Sequence, residues 1–414
     1  MKVLLLFPTT FNDEYIIQQS PDRTYAILHP SLMTRWDYNP LAVTHRLSVA
    51  KGLTRVDSVI LPNDYASFVA MMMEEHVGSD TIICPFVPDD DVLDDVKMFG
   101  GLIIPSLSFC LHVDDYATVY GDDRPTLKTT MTATRGKTSL DFGPSTDVDN
   151  RDHLPDHHTP LNHDGVAMTR KDALRSLDDF FHHRFSSFAQ YEDAIAPNDP
   201  FIYHSNISSS LNIGLLTIAD ITTRLSKIHI GGPARNNAEA FFRQIFGWRE
   251  YMLAIWWYGP RTTKEKIGDW RDFMAGRLSA HYIRQPSPSK TTVDDLIAVP
   301  GIVGIETKRA RDIGYAHHIV RLMVIGNYLY LINASPIDAV NIFMSLTIDA
   351  YPWVMYGNVV YMSMHTFGRV YTRKPYYSSG AYLRRMSCDE YRHDREFTRA
   401  IDDAYSKFRG TKKD

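Results

Sequence analysis

The hydrophobic period of this chain changes along its length, and that change limits the fold more than any single motif does. In the first 120 residues, the runs "KVLLLF", "YAILHP", "DSVILP", "DTIICPFV" and "GLIIPSLSF" have strand length and are rich in Val, Ile and Leu. Helix-like segments, "PLAVTHRLSVAKGL" and "DYASFVAMMMEEHV", lie between them. Alternation of this kind predicts an α/β domain with an open, mostly parallel sheet. From residue 169 onward the apolar spacing becomes helical, as in "RKDALRSLDDFFHHRFSSFAQYEDAI", "NAEAFFRQIFGWREYMLAIWWY", "AHHIVRLMVIGNYLYLI" and "SPIDAVNIFMSLTIDAYPWV". Residues 121–168 show neither period and are dominated by Gly, Pro, Asp, Asn and Thr. The expected organisation is therefore an α/β domain over 1–120, a linker over 121–168 and a mostly α-helical domain over 169–414.

Composition bounds the function. Apolar residues make up 44% and charged residues 22%, the balance of a globular protein. "MKVLLLFP" is too short for a signal-peptide core, and no later run reaches the length of a membrane span. A soluble, intracellular and monomeric protein is expected. The three cysteines, Cys84, Cys110 and Cys388, are scattered and show no C-x-x-C spacing, so neither a disulfide framework nor a zinc site is expected. An all-cysteine iron–sulfur cluster needs four ligands, one more than the chain carries. No G-x-G-x-x-G or Walker-type sequence supports ordinary dinucleotide or triphosphate binding. The linker histidines, His153, His157, His158 and His163, lack a ligand spacing, and no metal is expected. The formal charge is −5, yet residues 365–414 hold 12 Lys/Arg against 7 Asp/Glu. A basic end on an acidic body suits either a phosphate-binding face or a solvated tail.

Four constellations carry chemistry. "FIYHSNISSSLNIGLL" sets His204, Ser205, Ser208, Ser209 and Ser210 at or before a helix start, where they could cap the helix or hold an anion. "FFRQIFGWREYM" puts Gln244 four residues before Trp248, hence on one helix face, with Arg249 and Glu250 following. An amide above an indole could hold a planar heterocycle, or the face could simply be buried. "GYAHHIVRLMVIGNYLYLINA" places His317, His318 and Arg321 at the head of an apolar helix. Buried Arg321 needs an anionic partner, and Asp349 in "LTIDAYPW" is the natural one. "RVYTRKPYYSSGAYLRRMS" interleaves Arg369, Arg373, Lys374, Arg384 and Arg385 with Tyr371, Tyr376, Tyr377 and Tyr382. Such a mixture suits a phosphate backbone and unstacked bases.

Taken together and in order, "HSNISSSLNIGLL", "FFRQIFGWREYM", "YAHHIVRLMVIGNYLYL", "IDAYPWV" and "TRKPYYSSGAYLRRMS" resemble the photolyase/cryptochrome superfamily. The likeness is to its prokaryotic (6-4) photolyase, or iron–sulfur bacterial photolyase and cryptochrome, branch. The resemblance spans Phe201 to Ser387. The N-terminal part matches loosely, through its α/β pattern and pieces such as "LHPSLMTR" and "DFGPSTDVDNRD".

The resemblance implies an FAD folded into a U within the helical domain. His204, Ser205, Ser208 and Ser209 would meet its phosphates, and Gln244, Trp248, Arg249, Arg321, Asp349 and Met355 would lie around it. Arg369, Arg373, Lys374, Tyr376, Tyr377, Tyr382 and Arg385 would contact UV-damaged DNA. It also implies light-driven repair, in which excited reduced flavin gives an electron to a flipped-out pyrimidine lesion. His318, supported by His317, would be the proton donor for (6-4) photoproducts. Repair of cyclobutane dimers and non-repairing blue-light sensing are the alternatives. A lumazine-type antenna chromophore belongs to this branch but cannot be placed on so divergent an N-terminal domain. Relatives carry one cluster-binding cysteine before the Ala-His-His helix and three after the Arg-Met-Ser element. This chain has none between Cys110 and Cys388, so no iron–sulfur cluster is expected. Phe343 and Met344 stand at aromatic relay positions of relatives, and Met355 stands at an acidic flavin-facing one.

Overall fold

The computed structural model describes residues 1–78, 80–142, 165–196, 198–228, 233–261, 269–372 and 374–411. The five apolar runs form β1 (Lys2–Leu6), β2 (Arg23–Ile27), β3 (Ser58–Ile60), β4 (Thr81–Pro85) and β5 (Leu102–Ile104). They make one parallel sheet in the order β3-β2-β1-β4-β5, with Leu4 of β1 opposite Thr24 and Ile83. Strand alternation sends Val3, Leu5 and Phe7 into one apolar cluster, and Leu4 and Leu6 into another. Each cluster continues into the helical part, one as far as Phe408 and the other through Phe180 to Phe246. Being buried on both faces is why these strands read as unbroken apolar runs.

The order of strands reverses at β1, and the loop after β1 there receives the helical domain. Thr9 and Phe11 donate their backbone N–H groups to Ile213 O, at 3.2 and 3.1 Å. Asn12 Nδ2 donates to Gly214 O at 2.8 Å. Gly214 has a φ of +102°, and a Cβ there would lie 2.8 Å from Phe11 N and 2.9 Å from Thr9 O. This close approach fixes the end of the α-helix Ser208–Ile213 against the sheet.

Two further clamps join the domains. Arg46, on the α-helix Pro40–Gly52, is fully buried between the rings of Tyr38 and Tyr351, each 4.3 Å from its guanidinium. It donates to Leu32 O and, at 2.7 Å, to Ala350 O. From the helical side, Glu250 accepts from Cys110 N at 2.8 Å and Leu111 N at 3.2 Å, and Arg249 Nη1 donates to Ser108 O at 2.7 Å.

Two sequence expectations need correction. The segment expected as a linker without an apolar period holds the α-helix Leu127–Thr138, capped by the Thr126 hydroxyl. It packs its Leu127 and Met131 against Gly247, where a Cβ would sit 3.2 Å from Met131 Cγ. The linker histidines lie outside the described residues. The run expected as one helix through "SPIDAVNIFMSLTIDAYPWV" is broken, with helices Pro336–Leu346 and Pro352–Met355 on either side of residues 347–351.

Candidate functional site: a buried polar network in the helical domain

Asp349 sits in that break. Its Oδ2 accepts from Arg321 Nη2 at 3.0 Å, the pairing that the sequence suggested. Arg321 also donates from Nε to Ala316 O. Burial works against the Asp349 charge, but the Arg321 guanidinium, its hydrogen bond and the nearby Ser208 and Thr347 hydroxyls outweigh burial and hold the carboxyl below its usual range. The backbone of Asp349 continues the network, since Asn212 Nδ2 donates to Asp349 O at 3.0 Å. Asn212 Oδ1 accepts from Arg249 Nε at 3.2 Å. The Arg249 guanidinium then lies 4.3 Å from the Phe109 ring and 5.2 Å from that of Trp353. Burial lowers the Arg249 pKa to about 10, partly offset by Glu250, while burial raises Glu250 to about 7.

Three helices that frame this network contain π-helical turns: Arg243–Arg249, Val320–Gly326 and Tyr356–Ser363. Such turns recur where a helix must re-aim side chains at a site. Gln244 and Trp248 are half-buried in the first, with the Trp248 ring 6.0 Å from Tyr251. Met355 is buried at the end of helix Pro352–Met355, leading into the third.

The histidines form the neighbouring wall. His317 precedes its helix rather than starting it, and the helix runs over 318–331. The His204 ring stacks on His317 at 4.4 Å and meets His318 edge-on at 5.4 Å. His204 was expected to meet phosphate, but its ring nitrogens face Phe201 O at 3.0 Å and Glu192 O at 2.9 Å. Burial, then the His318 ring, push its pKa to about 4, so at neutral pH it donates only one of those two bonds. Its place is to shelve His317. Burial, followed by His204, His318 and Arg321, keeps His317 well below the usual histidine range, hence neutral. His318 is the open ring, with a side chain 39% exposed and Nε2 3.5 Å from Asp193 Oδ1. The three histidines bring a nitrogen each within 4.8 Å of one another, a spacing that a metal could use. Both His204 nitrogens, however, face backbone carbonyls, Phe201 O and Glu192 O, rather than the other two rings.

None of the serines caps its helix: the capping position is Ile207, without a side-chain bond. Ser208 and Ser209 occupy the first turn, Ser208 close to Asp349 and Ser209 buried, and Ser205 is half-buried upstream. Asn212, Asp193 and Arg46 complete the arrangement and were not singled out from sequence. Asn212, a polar residue inside "SSSLNIGLL", was the one signal that could have found the network.

The residues present fit a polar heterocyclic cofactor. Asp349 Oδ1, His317 Nδ1, Arg249 Nη2 and Trp353 Nε1 are all buried without a hydrogen-bond partner along this connected wall. Each orphan costs about 1–3 kcal/mol. A ligand with both donors and acceptors on its rim would satisfy them.

The basic segment is divided in its roles. Arg369, Lys374 and Arg385 are exposed, and Arg385 lies 5.6 Å over the Tyr382 ring. Arg384 instead pairs internally with Asp402 at 2.7 Å. Tyr377 stacks on Tyr330 at 5.1 Å, and the Tyr376 N–H donates to His365 Nε2 at 3.2 Å, so these tyrosines brace the segment. Arg373 lies outside the described residues. A cleft of about 210 Å³ opens among Arg284, Tyr330, His365, Arg369 and Tyr377. A cleft of about 610 Å³, bounded by Asp178, Phe181, His182, Arg224 and Lys227, shares no lining residue with the site.

A parallel α/β domain fastened to a helical domain with a buried polar network is the fold of photolyases and cryptochromes. A class III photolyase from Agrobacterium tumefaciens superposes with a TM-score of 0.62 at 15% identity, over 97% of this chain and 86% of that one. A Synechocystis cryptochrome does so with the same score and identity, over 97% and 88%. In sequence, a (6-4) photolyase of Agrobacterium fabrum is 34% identical over 245 residues, 58% of this chain and 45% of that protein. An uncharacterised protein of Acanthamoeba polyphaga mimivirus is 37% identical over 65 residues, 16% of this chain and 53% of its own. The matches thus span about half the length of these two relatives, and no protein-family model matches. The chain has the fold of the photolyase/cryptochrome superfamily, and just over half of it is similar in sequence to a (6-4) photolyase.

Proposed function

We propose that this protein is an FAD-dependent, blue-light-driven photolyase that reverts pyrimidine (6-4) photoproducts in DNA. The observation that carries the reading is the contrast within the histidine pair: buried, neutral His317 beside open His318, which faces Asp193 next to the Arg321–Asp349 wall. When bound, reduced FAD would supply the electron on excitation. Asp349, Arg321, Asn212 and Arg249 would hold its polar edge, with Gln244, Trp248 and Met355 around it and Ser205, Ser208 and Ser209 toward its phosphates.

His318 donates the proton that the lesion needs, and Asp193 stabilises the charged ring that gives it. His204 and His317 hold that ring in place by stacking. Arg369, Lys374 and Arg385 neutralise DNA phosphates, with Arg373 beside them in sequence, and Tyr376, Tyr377 and Tyr382 shape the segment. Binding that uses several such charges weakens steeply with salt.

The test is repair of oligonucleotides carrying one defined lesion, in light and in darkness. Light-dependent loss of the (6-4) lesion supports the proposal, and loss of the cyclobutane dimer alone makes it a dimer photolyase. Because the same fold score is reached with a cryptochrome, a flavin-loaded protein that repairs neither lesion is a blue-light sensor.

A further inference from the structure

We propose that the cleft of about 610 Å³ bounded by Asp178, Phe181, Arg224 and Lys227 is a binding site for an aromatic phosphate the size of a mononucleotide. Three helices meet around it. The helix Arg170–Asp179 runs into a π-helical turn, Phe180–Arg184, and supplies Asp178, Phe181 and His182. The helix Ile218–Leu225 supplies Arg224 from its last turn, with Lys227 just beyond it. The helix Pro233–Phe242 closes the third side with Ala234 and Asn237. Asn237 is part of the frame: its Nδ2 donates to Ser186 O at 2.8 Å, and its Oδ1 accepts from Ala189 N at 2.8 Å. With that amide spent, contacts to a ligand fall to the other side chains.

The floor of the cleft is aromatic. Phe181 and Phe185 have ring centroids 5.0 Å apart, and Phe241 backs them at 5.7 and 6.3 Å. Phe185 is buried, whereas Phe181 is half-buried and leaves part of its ring to the cleft. The rim is cationic. Arg224 meets Asp178 Oδ1 through Nε at 2.9 Å and through Nη2 at 2.8 Å, which balances the carboxylate of the rim and leaves Nη1 over. Lys227 is exposed, and among the described residues no carboxylate pairs with it. His182 donates from Nδ1 to Asp178 O at 2.6 Å, so Nε2 is the nitrogen that remains for a ligand.

Grooves between helix ends are common, and an apolar floor alone would name no occupant. Charge and size name one here. A phosphate monoester carries about −1.5 to −2 charge at pH 7. The spare Arg224 donor and Lys227 match it, the first as a directed N–H and the second as a mobile point charge. A half-covered phenylalanine face accepts a second planar ring by offset or edge-on packing. At ~30 Å³ per water the cleft has room for about 20 waters, the bulk of a nucleoside monophosphate and too much for a bare anion or a single ring. Volumes of this order are those of ordinary small-molecule sites. No lining residue of the cleft is among those assigned above to flavin or DNA, so the inference does not depend on the photolyase reading.

The experiment is calorimetric titration of the full-length, flavin-loaded protein with AMP and with UMP, and separately with their nucleosides and with inorganic phosphate. Filling the flavin site beforehand keeps the probes out of it. At least one nucleotide should saturate a single site, with its nucleoside and phosphate each weaker by about tenfold or more. Lys227→Glu, at an exposed position, should weaken the nucleotide by about tenfold or more while flavin content and thermal midpoint stay at wild-type values. Phe181→Leu, which keeps an apolar floor without a ring, should weaken it by a smaller factor. Wild-type affinity in both variants would put the nucleotide elsewhere and overturn the site. Absence of saturable binding by both nucleotides would overturn it too, and a nucleoside or phosphate that binds as tightly as the nucleotide would overturn the ligand class. Flavin-free protein would overturn the cofactor reading and leave this site to stand or fall on the Lys227→Glu titration.

Discussion

His317 and His318 are neighbours in sequence with opposite surroundings, and function divides between them accordingly. His317 is sealed by His204 and kept neutral, whereas His318 opens to solvent beside Asp193. His318→Ala should keep its flavin yet lose about 100-fold or more in (6-4) repair, the usual worth of a positioned proton donor. Single-turnover repair, with flavin content read from absorbance, checks this. Unchanged repair would remove His318 from the role. Asp193→Asn should depress repair while leaving the flavin content unchanged, because His318 loses the carboxylate beside it, and repair equal to wild type would remove Asp193 from the site. Arg321→Ala leaves buried Asp349 without its cation, a change that costs about 3–5 kcal/mol where such a pair is truly buried. Purified Arg321→Ala should therefore carry little FAD, and full occupancy would contradict the pairing's role.

At the scale of elements, the loop after β1 and the helix Ser208–Ile213 hold the site against the sheet through one glycine. Gly214→Ala puts a Cβ against backbone atoms at a positive φ and should destabilise the protein by about 2 kcal/mol or more. A thermal midpoint equal to wild type would show that the loop yields freely. The same scale shows what sequence reveals. All five strands, and the helices that carry Arg46, Arg249 and Arg321, were readable because buried strands make short Val/Ile/Leu runs and these helices make longer apolar-rich ones. Helix Leu127–Thr138 escaped because it buries threonines, Thr130 and Thr134, rather than a stripe of large apolar residues. The break at residues 347–351 escaped because Ile348 and Ala350 are buried and keep the run apolar through the loop. Arg321 and Asp349 could be paired from charge and burial alone. The Asp193–His318 and Asn212–Arg249 contacts join residues far apart in sequence and had no local signal.

For the whole molecule, buried ionisable groups set an acid limit. Burial, the first cause in each case, lowers His45 and His204 to about 4 and holds His317 well below the usual histidine range. Between about pH 6.5 and 4 the unfolded chain therefore binds more protons at these rings, and stability falls as pH drops, by on the order of 3 kcal/mol for each of His45 and His204. Glu250 and Glu306, raised to about 7 by burial, work in the other direction, since the folded state holds their protons between about pH 7 and 4.5. Three rings outweigh two carboxyls, so the thermal midpoint should decline from pH 6.5 to 4.5. Glu250→Gln should steepen that decline. A midpoint that rises on acidification would contradict the balance.

The central claim is tested most directly by incubating the chemically reduced, flavin-loaded protein with two oligonucleotides under blue light, one bearing a (6-4) photoproduct and the other a cyclobutane dimer. Prior reduction separates repair from the route of photoreduction. The account predicts loss of the (6-4) product in light only, with the dimer left intact. Persistence of the (6-4) product in a protein that visibly holds reduced flavin would contradict it.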